Sequence, residues 1–261
     1  MFDYHMHSSV SFDSTCPARD MAEAAAKQGL KEICFTDHWD YNSDPNAPPT
    51  PFDPEAYSEA YDGLEYPDMH IRRGVEFGLT VWDTTELTAL LQKRRFDFVI
   101  GSVHSVDGCD PYDKEFWDGK TVRQAYERYL EEILRCVKVH SDFDVLGHLT
   151  YVCRSVHNPS SEPLRYEDHR ELCDEIMKEL IAKGKGMEVN TSGVDQRGVL
   201  LPTADFMRRF RELGGEIVTV GSDAHTAERV GQHTDKALQM LKEIFGYVCT
   251  FANRKPIFHK L

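Results

Sequence analysis

Histidines and carboxylates recur at one kind of place in this chain, the carboxyl end of a short apolar run. His5-Met6-His7 closes the first run, with Asp13 soon after. Alternate residues of an extended segment point to one side, so His5 and His7 can face a common point. Later runs end in Cys34-Phe35-Thr36-Asp37-His38, Gly74-Val75-Glu76-Phe77, Gly101-Ser102-Val103-His104, Leu146-Gly147-His148 and Gly221-Ser222-Asp223-Ala224-His225. Any one of these residues reads equally well as a buried, hydrogen-bonded histidine or a capping carboxylate. The set reads differently, because buried polar and charged groups at so many strand ends must be paired or coordinated. Nine side chains (His5, His7, Asp13, His38, Glu76, His104, His148, Asp223 and His225) are too many for one ion and imply two to three. Imidazole with carboxylate and no thiolate fits Zn, Fe or Mn, and not a site for Mg or Ca alone. Two such ions about 3.5–4 Å apart form a clamp for in-line displacement at phosphorus.

Positioning these residues requires a repeating scaffold. β-rich runs at Phe2–His7, Glu32–Thr36, Ile71–Phe77, Phe96–Val103, Phe143–Gly147, Gly186–Asn190 and Glu216–Gly221 alternate with amphipathic stretches at Arg19–Gln28, Thr84–Arg94, Val122–His140, Tyr166–Lys183, Ala204–Leu213 and Thr234–Ile244. The first helix follows Pro17, runs through an alanine-rich segment and stops at Gly29; Gly184 ends the helix before it in the same way. Successive β-then-α units predict an α/β protein with a parallel sheet, and the regular repeat over 261 residues favours a barrel in one domain spanning residues 1–261. The segments Asp40–Pro54 and Ser105–Lys120 interrupt the rhythm; both follow strands, so both should overhang the carboxyl-terminal face of the barrel.

Composition narrows the partners. A formal net charge of −14 repels polyphosphate backbones and argues against a general nucleic-acid-binding role. No apolar run reaches the length of a membrane span, and no signal peptide is visible at the amino terminus. The seven cysteines are odd in number and scattered, which argues against a disulfide framework and for a cytoplasmic protein.

The ordered motifs resemble the polymerase and histidinol phosphatase (PHP) domains, relatives of the amidohydrolase-like metal hydrolases. The resemblance rests on H-x-H with Asp13, T-D-H at 36–38, G-V-E at 74–76, G-S-V-H at 101–104, G-H at 147–148 and G-S-D-A-H at 221–225, and it covers essentially the whole chain. It implies a distorted (β/α)7 TIM-like barrel with a trinuclear metal site. By that resemblance His5, His7, Glu76 and Asp223 would hold a first metal, which Glu76 would bridge to a second held by His104 and His148. Asp13, His38 and His225 would hold the third. The monofunctional histidinol phosphatase branch matches best, through the segment Asn190-Thr191-Ser192-Gly193 and the stretch from Gly147 to Arg154. It implies hydrolysis of L-histidinol phosphate, a small-molecule phosphoester, in histidine biosynthesis.

Phosphomonoester hydrolysis needs an activated water and charge neutralisation at phosphorus. The nucleophile expected here is a metal-bridging hydroxide held by Glu76 and its neighbours. Arg154 and Arg197 are the candidates for gripping the phosphate. Asp40, Tyr41, Asp107, Asp110, Tyr112, Phe116 and Trp117, in the two insertions, are candidates for the substrate's ammonium and imidazole. Asp37 points away from its neighbour His38 and is expected to make a supporting hydrogen bond. His70, His140, His157, His169, His233 and His259 lie off the strand-end pattern; most are expected at the surface, with His157 and His233 near the site. Three readings compete with the histidinol phosphatase: the same metal chemistry on a nucleotide, sugar-phosphate or phosphotyrosine ester, a non-catalytic metal-binding module, and a C–N hydrolase, against which the bridging position of Glu76 argues. Oligomeric state is not readable from the chain.

Overall fold

The computed structural model describes residues 1–40, 53–82, 84–160 and 162–261. Its core is a parallel sheet of β1 (Phe2–Asp3), β2 (Glu32–Phe35), β3 (His38–Trp39), β4 (His70–Gly78), β5 (Phe98–Ser102), β6 (Val145–Leu146), β7 (Gly186–Asn190) and β8 (Val218–Gly221). The order is β1-β2-β4-β5-β6-β7-β8, and β3 also pairs with β4, so β2 and β3 are one stave interrupted at Thr36-Asp37. The sheet closes where the chain after β1 meets the end of β8. Tyr4 N donates to Val220 O at 2.9 Å, Asp223 N to His5 O at 2.7 Å and His7 N to Ala224 O at 2.8 Å. The outcome is a parallel barrel, as the alternating pattern predicts, with the seven staves and the distortion that the resemblance implies.

Around it lie α1 (Ala18–Lys27), α2 (Pro54–Tyr61), α3 (Glu86–Lys93), α4 (Lys114–Trp117), α5 (Val122–Val139), α6 (Arg170–Ala182), α7 (Gly193–Arg197), α8 (Ala204–Glu212) and α9 (Thr234–Ile244). Sequence explains the main stops and starts. Gly29, at φ +72°, ends α1, and Thr121 with Gln124 forms a reciprocal capping box at the start of α5. Outward residues of the staves, among them Ile33, Phe35, Val75, Phe77, Val99, Met187, Val189, Val218 and Val220, join the helices in the main core. Among the described residues, no helix is long and apolar enough to cross a membrane. All seven cysteines are free.

The sequence reading contains no counterpart for the antiparallel hairpin β9 (Tyr247–Ala252) and β10 (Lys255–Lys260). This hairpin plugs the amino-terminal end of the barrel. Cys249 and Phe251 pack on Tyr4, Cys34, Phe98, Ile100 and Val145 in a second buried cluster. Tyr4 Oη donates to Phe251 O at 3.0 Å, and the Phe98 and Phe251 rings lie 4.8 Å apart. Interior side chains of the lower barrel are thus apolar, and the chemistry-bearing residues all sit at the other end. Phe251→Ala should cost about 3–5 kcal/mol as a buried aromatic truncation. Thermal unfolding would register it as a clear fall in midpoint, with metal content unchanged; an unshifted midpoint would contradict the plug.

Candidate metal centre

Strand alternation delivers the donors. In β4, Gly74, Glu76 and Gly78 face inward, and in β5 Phe98, Ile100 and Ser102 do so. Glu76 therefore rises in the centre of the barrel mouth, fully buried. Its Oε2 lies 3.1 Å from His5 Nε2, 3.5 Å from His7 Nε2 and 3.1 Å from His38 Nδ1. Its Oε1 lies 2.9 Å from His148 Nε2 and 3.3 Å from His104 Nε2. Asp223 Oδ1 stands 3.7 Å from His5 Nε2 and 3.3 Å from His7 Nε2. Asp13 Oδ2 stands 2.8 Å from His225 Nε2 and 3.4 Å from His38 Nε2. All nine residues singled out by spacing converge on one mouth, in overlapping groups whose donor atoms lie within 4.8 Å of one another.

The protons in this cluster are placed by its surroundings. His5 Nδ1 lies 2.6 Å from Glu188 Oε1, and His104 Nδ1 lies 2.9 Å from Asp40 Oδ1. A carboxylate can only accept, so each of these nitrogens carries the proton. Ser11 donates its own proton to Asp37 at 3.1 Å, which leaves its oxygen to accept from His7 Nδ1 at 3.1 Å. His225 Nδ1 donates to the Asp223 carbonyl at 2.9 Å. In the neutral form of each ring, the form that coordinates, the Nε2 atom of His5, His7, His104 and His225 is then a lone pair aimed into the mouth. His5 Nε2, His7 Nε2, His225 Nε2 and Glu76 Oε2 are buried without a hydrogen-bond partner. Acceptors facing acceptors in a buried site call for a cation, and imidazole plus carboxylate is the donor chemistry of a divalent transition metal. The residues fit the group.

Burial alone would lower His5 and His104, but the carboxylates Glu188, Asp40 and Glu76 raise both well above the ordinary imidazole range, so a metal ion would displace a proton from each. Burial alone would raise the Glu76 carboxyl, but His5, His38 and His104 hold it well below the usual carboxylate range. Asp223 is likewise raised by burial and pulled well below that range by His5 and Arg154. His7, through burial and then its neighbours His38 and His225, is pushed down to about 3 and stays neutral. Ionised carboxylates and a neutral imidazole are the forms that coordinate.

An open pocket of about 380 Å³ adjoins the centre, lined by Asp13, Asp110, Tyr112, Tyr151, Arg154 and Arg229 among others. Arg154 NH1 donates to Asp223 Oδ2 at 2.8 Å and to Ser192 Oγ at 2.7 Å, while its Nε is buried with no partner. The guanidinium lies over the Tyr151 ring at 4.9 Å, and Tyr151 Oη donates to Asp110 Oδ1 at 3.2 Å.

Several expectations are corrected. Arg197 does not reach this pocket; it sits at the end of α7 and donates to the carbonyls of Ser155 and Ser160. Asp107 turns outward to pair with Arg128 at 2.6 Å. Phe116 and Trp117 are buried core residues of α4 rather than loop contacts, with Trp117 Nε1 donating to Pro111 O at 3.0 Å. Asp40 faces His104 and His38, not the pocket. Tyr41 lies outside the described residues. His157 is exposed, and His233 pairs with Asp195 at 2.7 Å. His140 and His169 are buried rather than at the surface. Asp37 accepts from Ser8, Ser11 and Tyr61, the supporting role expected of it. Glu188, Tyr151 and Arg229 were not picked out from sequence. A glutamate inside the fully buried run Gly186-Met187-Glu188-Val189-Asn190 was the available signal for the first; the other two carry none.

A metal-binding parallel barrel with its donors at the carboxyl ends of the strands defines the class: a metal-dependent hydrolase. The PHP domain family matches residues 3–192, and the chain belongs to that family. The histidinol-phosphatase of Lactococcus lactis subsp. lactis is 33% identical over 262 residues, covering 97% of this chain and 95% of the relative. A crystal structure of histidinol phosphate phosphatase from Lactococcus lactis subsp. lactis, complexed with Zn, L-histidinol and phosphate, is 30% identical and superimposes with a TM-score of 0.87, covering 98% of each chain. The matched family region stops at residue 192, yet Asp223 and His225 beyond it complete the donor set.

Glu76→Ala and His104→Ala should each lower the metal bound per chain, read by elemental analysis of the purified protein. Unchanged stoichiometry in either variant would contradict the donor set.

Proposed function

We propose that the chain is a phosphomonoester hydrolase that converts L-histidinol phosphate to L-histidinol and phosphate, a cytoplasmic step of histidine biosynthesis, with residues 1–261 acting as one unit. The observation that carries this reading is the set of partnerless buried acceptors around Glu76, beside a pocket where Arg154 and Asp110 flank Tyr151. Two to three zinc, iron or manganese ions would be held there. His5, His7, Glu76 and Asp223 would take one, Glu76 with His104 and His148 a second, and Asp13, His38 and His225 a third. Bound at these positions, the ions supply Lewis acidity toward the phosphoryl oxygens and lower the pKa of a coordinated water.

The chain's own residues position the ester. Arg154 spends NH1 on Asp223 and Ser192, so its buried Nε awaits an acceptor, and a phosphoryl oxygen is the group that satisfies it. Tyr151 holds the guanidinium plane against its ring face. Asp110 lies on the far side of the same tyrosine, its carboxyl raised by burial. A substrate ammonium beside Asp110 offsets the cost of charging it, and the rings of Tyr112 and Tyr151 offer flat surfaces to an imidazole. A pocket with an anion grip and an acidic, aromatic wall suits a zwitterionic phosphoester better than a nucleotide or sugar phosphate, and its acidic lining disfavours nucleic acid.

Phosphate release across a panel of metabolite esters, with metal measured on the same sample, tests the assignment. Histidinol phosphate should be turned over well ahead of generic phosphomonoesters. A fully metallated protein inactive on it and active on another ester would overturn the substrate. Arg154→Ala should depress kcat/KM on every ester. Asp110→Asn should lower kcat/KM for histidinol phosphate about 10–100-fold, the worth of a hydrogen bond to a charged group, and leave esters without an ammonium unaffected. Equal losses on both kinds of ester would remove Asp110 from substrate recognition.

A further inference from the structure

Three glycines at the barrel mouth have no backbone reason to be glycine. Gly78, Gly147 and Gly221 none of them adopts a left-handed φ. What each lacks is room. A β-carbon on Gly78 would overlap Asp40 Oδ1, one on Gly147 would overlap Ser102 Oγ, and one on Gly221 would overlap His5 Cβ and press on Glu188 Oε1. All three displaced oxygens belong to side chains that grip a donor. Asp40 holds His104 Nδ1 at 2.9 Å, Ser102 donates to Glu76 Oε1 at 2.6 Å and Glu188 holds His5 Nδ1 at 2.6 Å. Glu188 is itself pinned, accepting from His148 N at 2.8 Å and from Asn190 Nδ2 at 3.3 Å.

We infer that Asp40, Ser102 and Glu188 form an outer layer of positioning residues for the metal centre, and that Gly78, Gly147 and Gly221 are glycine to make space for it. The inference rests on the reading of the mouth as a metal site. Its physical content is that an imidazole whose Nδ1 proton is held by a fixed carboxylate presents Nε2 in one tautomer and one orientation, and such partners set affinity as well as geometry. Asp40 and Glu188 act on His104 and His5, one on each side of Glu76. Ser102 fixes the carboxylate between them.

Zinc retention by the full-length protein against a competing chelator tests this, with stoichiometry at saturating zinc measured in parallel. Asp40→Ala and Glu188→Ala should each retain zinc about 10–100-fold more weakly while still binding the wild-type number of ions at saturation. Asp40→Asn, whose amide oxygen still accepts from His104 Nδ1, should hold zinc close to wild type. Gly78→Ala should weaken retention in the native background and have a much smaller effect on Asp40→Ala, since the severe overlap it creates is with the Asp40 carboxylate. Glu188 is fully buried, so if Glu188→Ala does not fold, the variants at Asp40, which is partly exposed, carry the test. Wild-type retention in Asp40→Ala would overturn the inference. Loss of a whole equivalent at saturation would overturn it too, by making Asp40 a ligand. A wild-type protein that binds no zinc, iron or manganese would instead overturn the metal-site reading beneath it.

Discussion

Glu76 is a fully buried carboxylate with five imidazole rings within 3.5 Å of its two oxygens. An ionised carboxylate in such a place must be compensated, and hydrogen bonds alone do not do it. The protons of His5, His7 and His104 are committed on the far side of each ring, to Glu188, Ser11 and Asp40. With these rings neutral, their Nε2 lone pairs and the Glu76 oxygens face one another as acceptors, an arrangement that divalent cations would satisfy. His5, His7, His38, His104 and His148 all meet at this one residue.

The barrel supplies the means. Parallel staves place all their carboxyl ends at one mouth, and alternation along each stave sends one residue in two toward the axis. Near the amino-terminal end the inward positions are Tyr4, Phe98, Ile100 and Val145, sealed by the hairpin through Cys249 and Phe251. Near the carboxyl-terminal end the inward positions turn polar: Glu76, Ser102 and Glu188 on β4, β5 and β7, then the histidines just beyond the strands. The apolar floor excludes water beneath the centre, so the interactions above it act in a low-dielectric setting. The regular strand gives way exactly where coordination demands it: β1 ends at Asp3, and His5 and His7 are placed by hydrogen bonds to the segment after β8.

Much of this is visible in the amino-acid sequence because strand ends are local. Residue type and spacing suffice to find His5, His7, Glu76, His104, His148, Asp223 and His225, since each follows an apolar run directly. The barrel was legible for the same reason, from its repeating β-then-α pattern. Residues whose role depends on the path of a loop were not. Arg197 belongs to a short helical turn that carries it toward the carbonyls of Ser155 and Ser160, and Phe116 and Trp117 fold back into the core on another. The hairpin escaped notice because Tyr247–Ala252 has no helix after it to complete the repeat. Glu188 was within reach, as a carboxylate in the middle of a fully buried strand, but its partner His5 lies 183 residues away and only the closed barrel joins them.

The account stands on cations gathered around Glu76, and anomalous X-ray scattering from crystals of the purified protein, recorded at the zinc, iron and manganese edges, tests that most directly. Peaks should fall in the mouth, with one beside His5, His7 and Asp223 and another beside His104 and His148, Glu76 between them. Metal-replete protein whose peaks lie elsewhere, or a mouth filled by water alone, would contradict it.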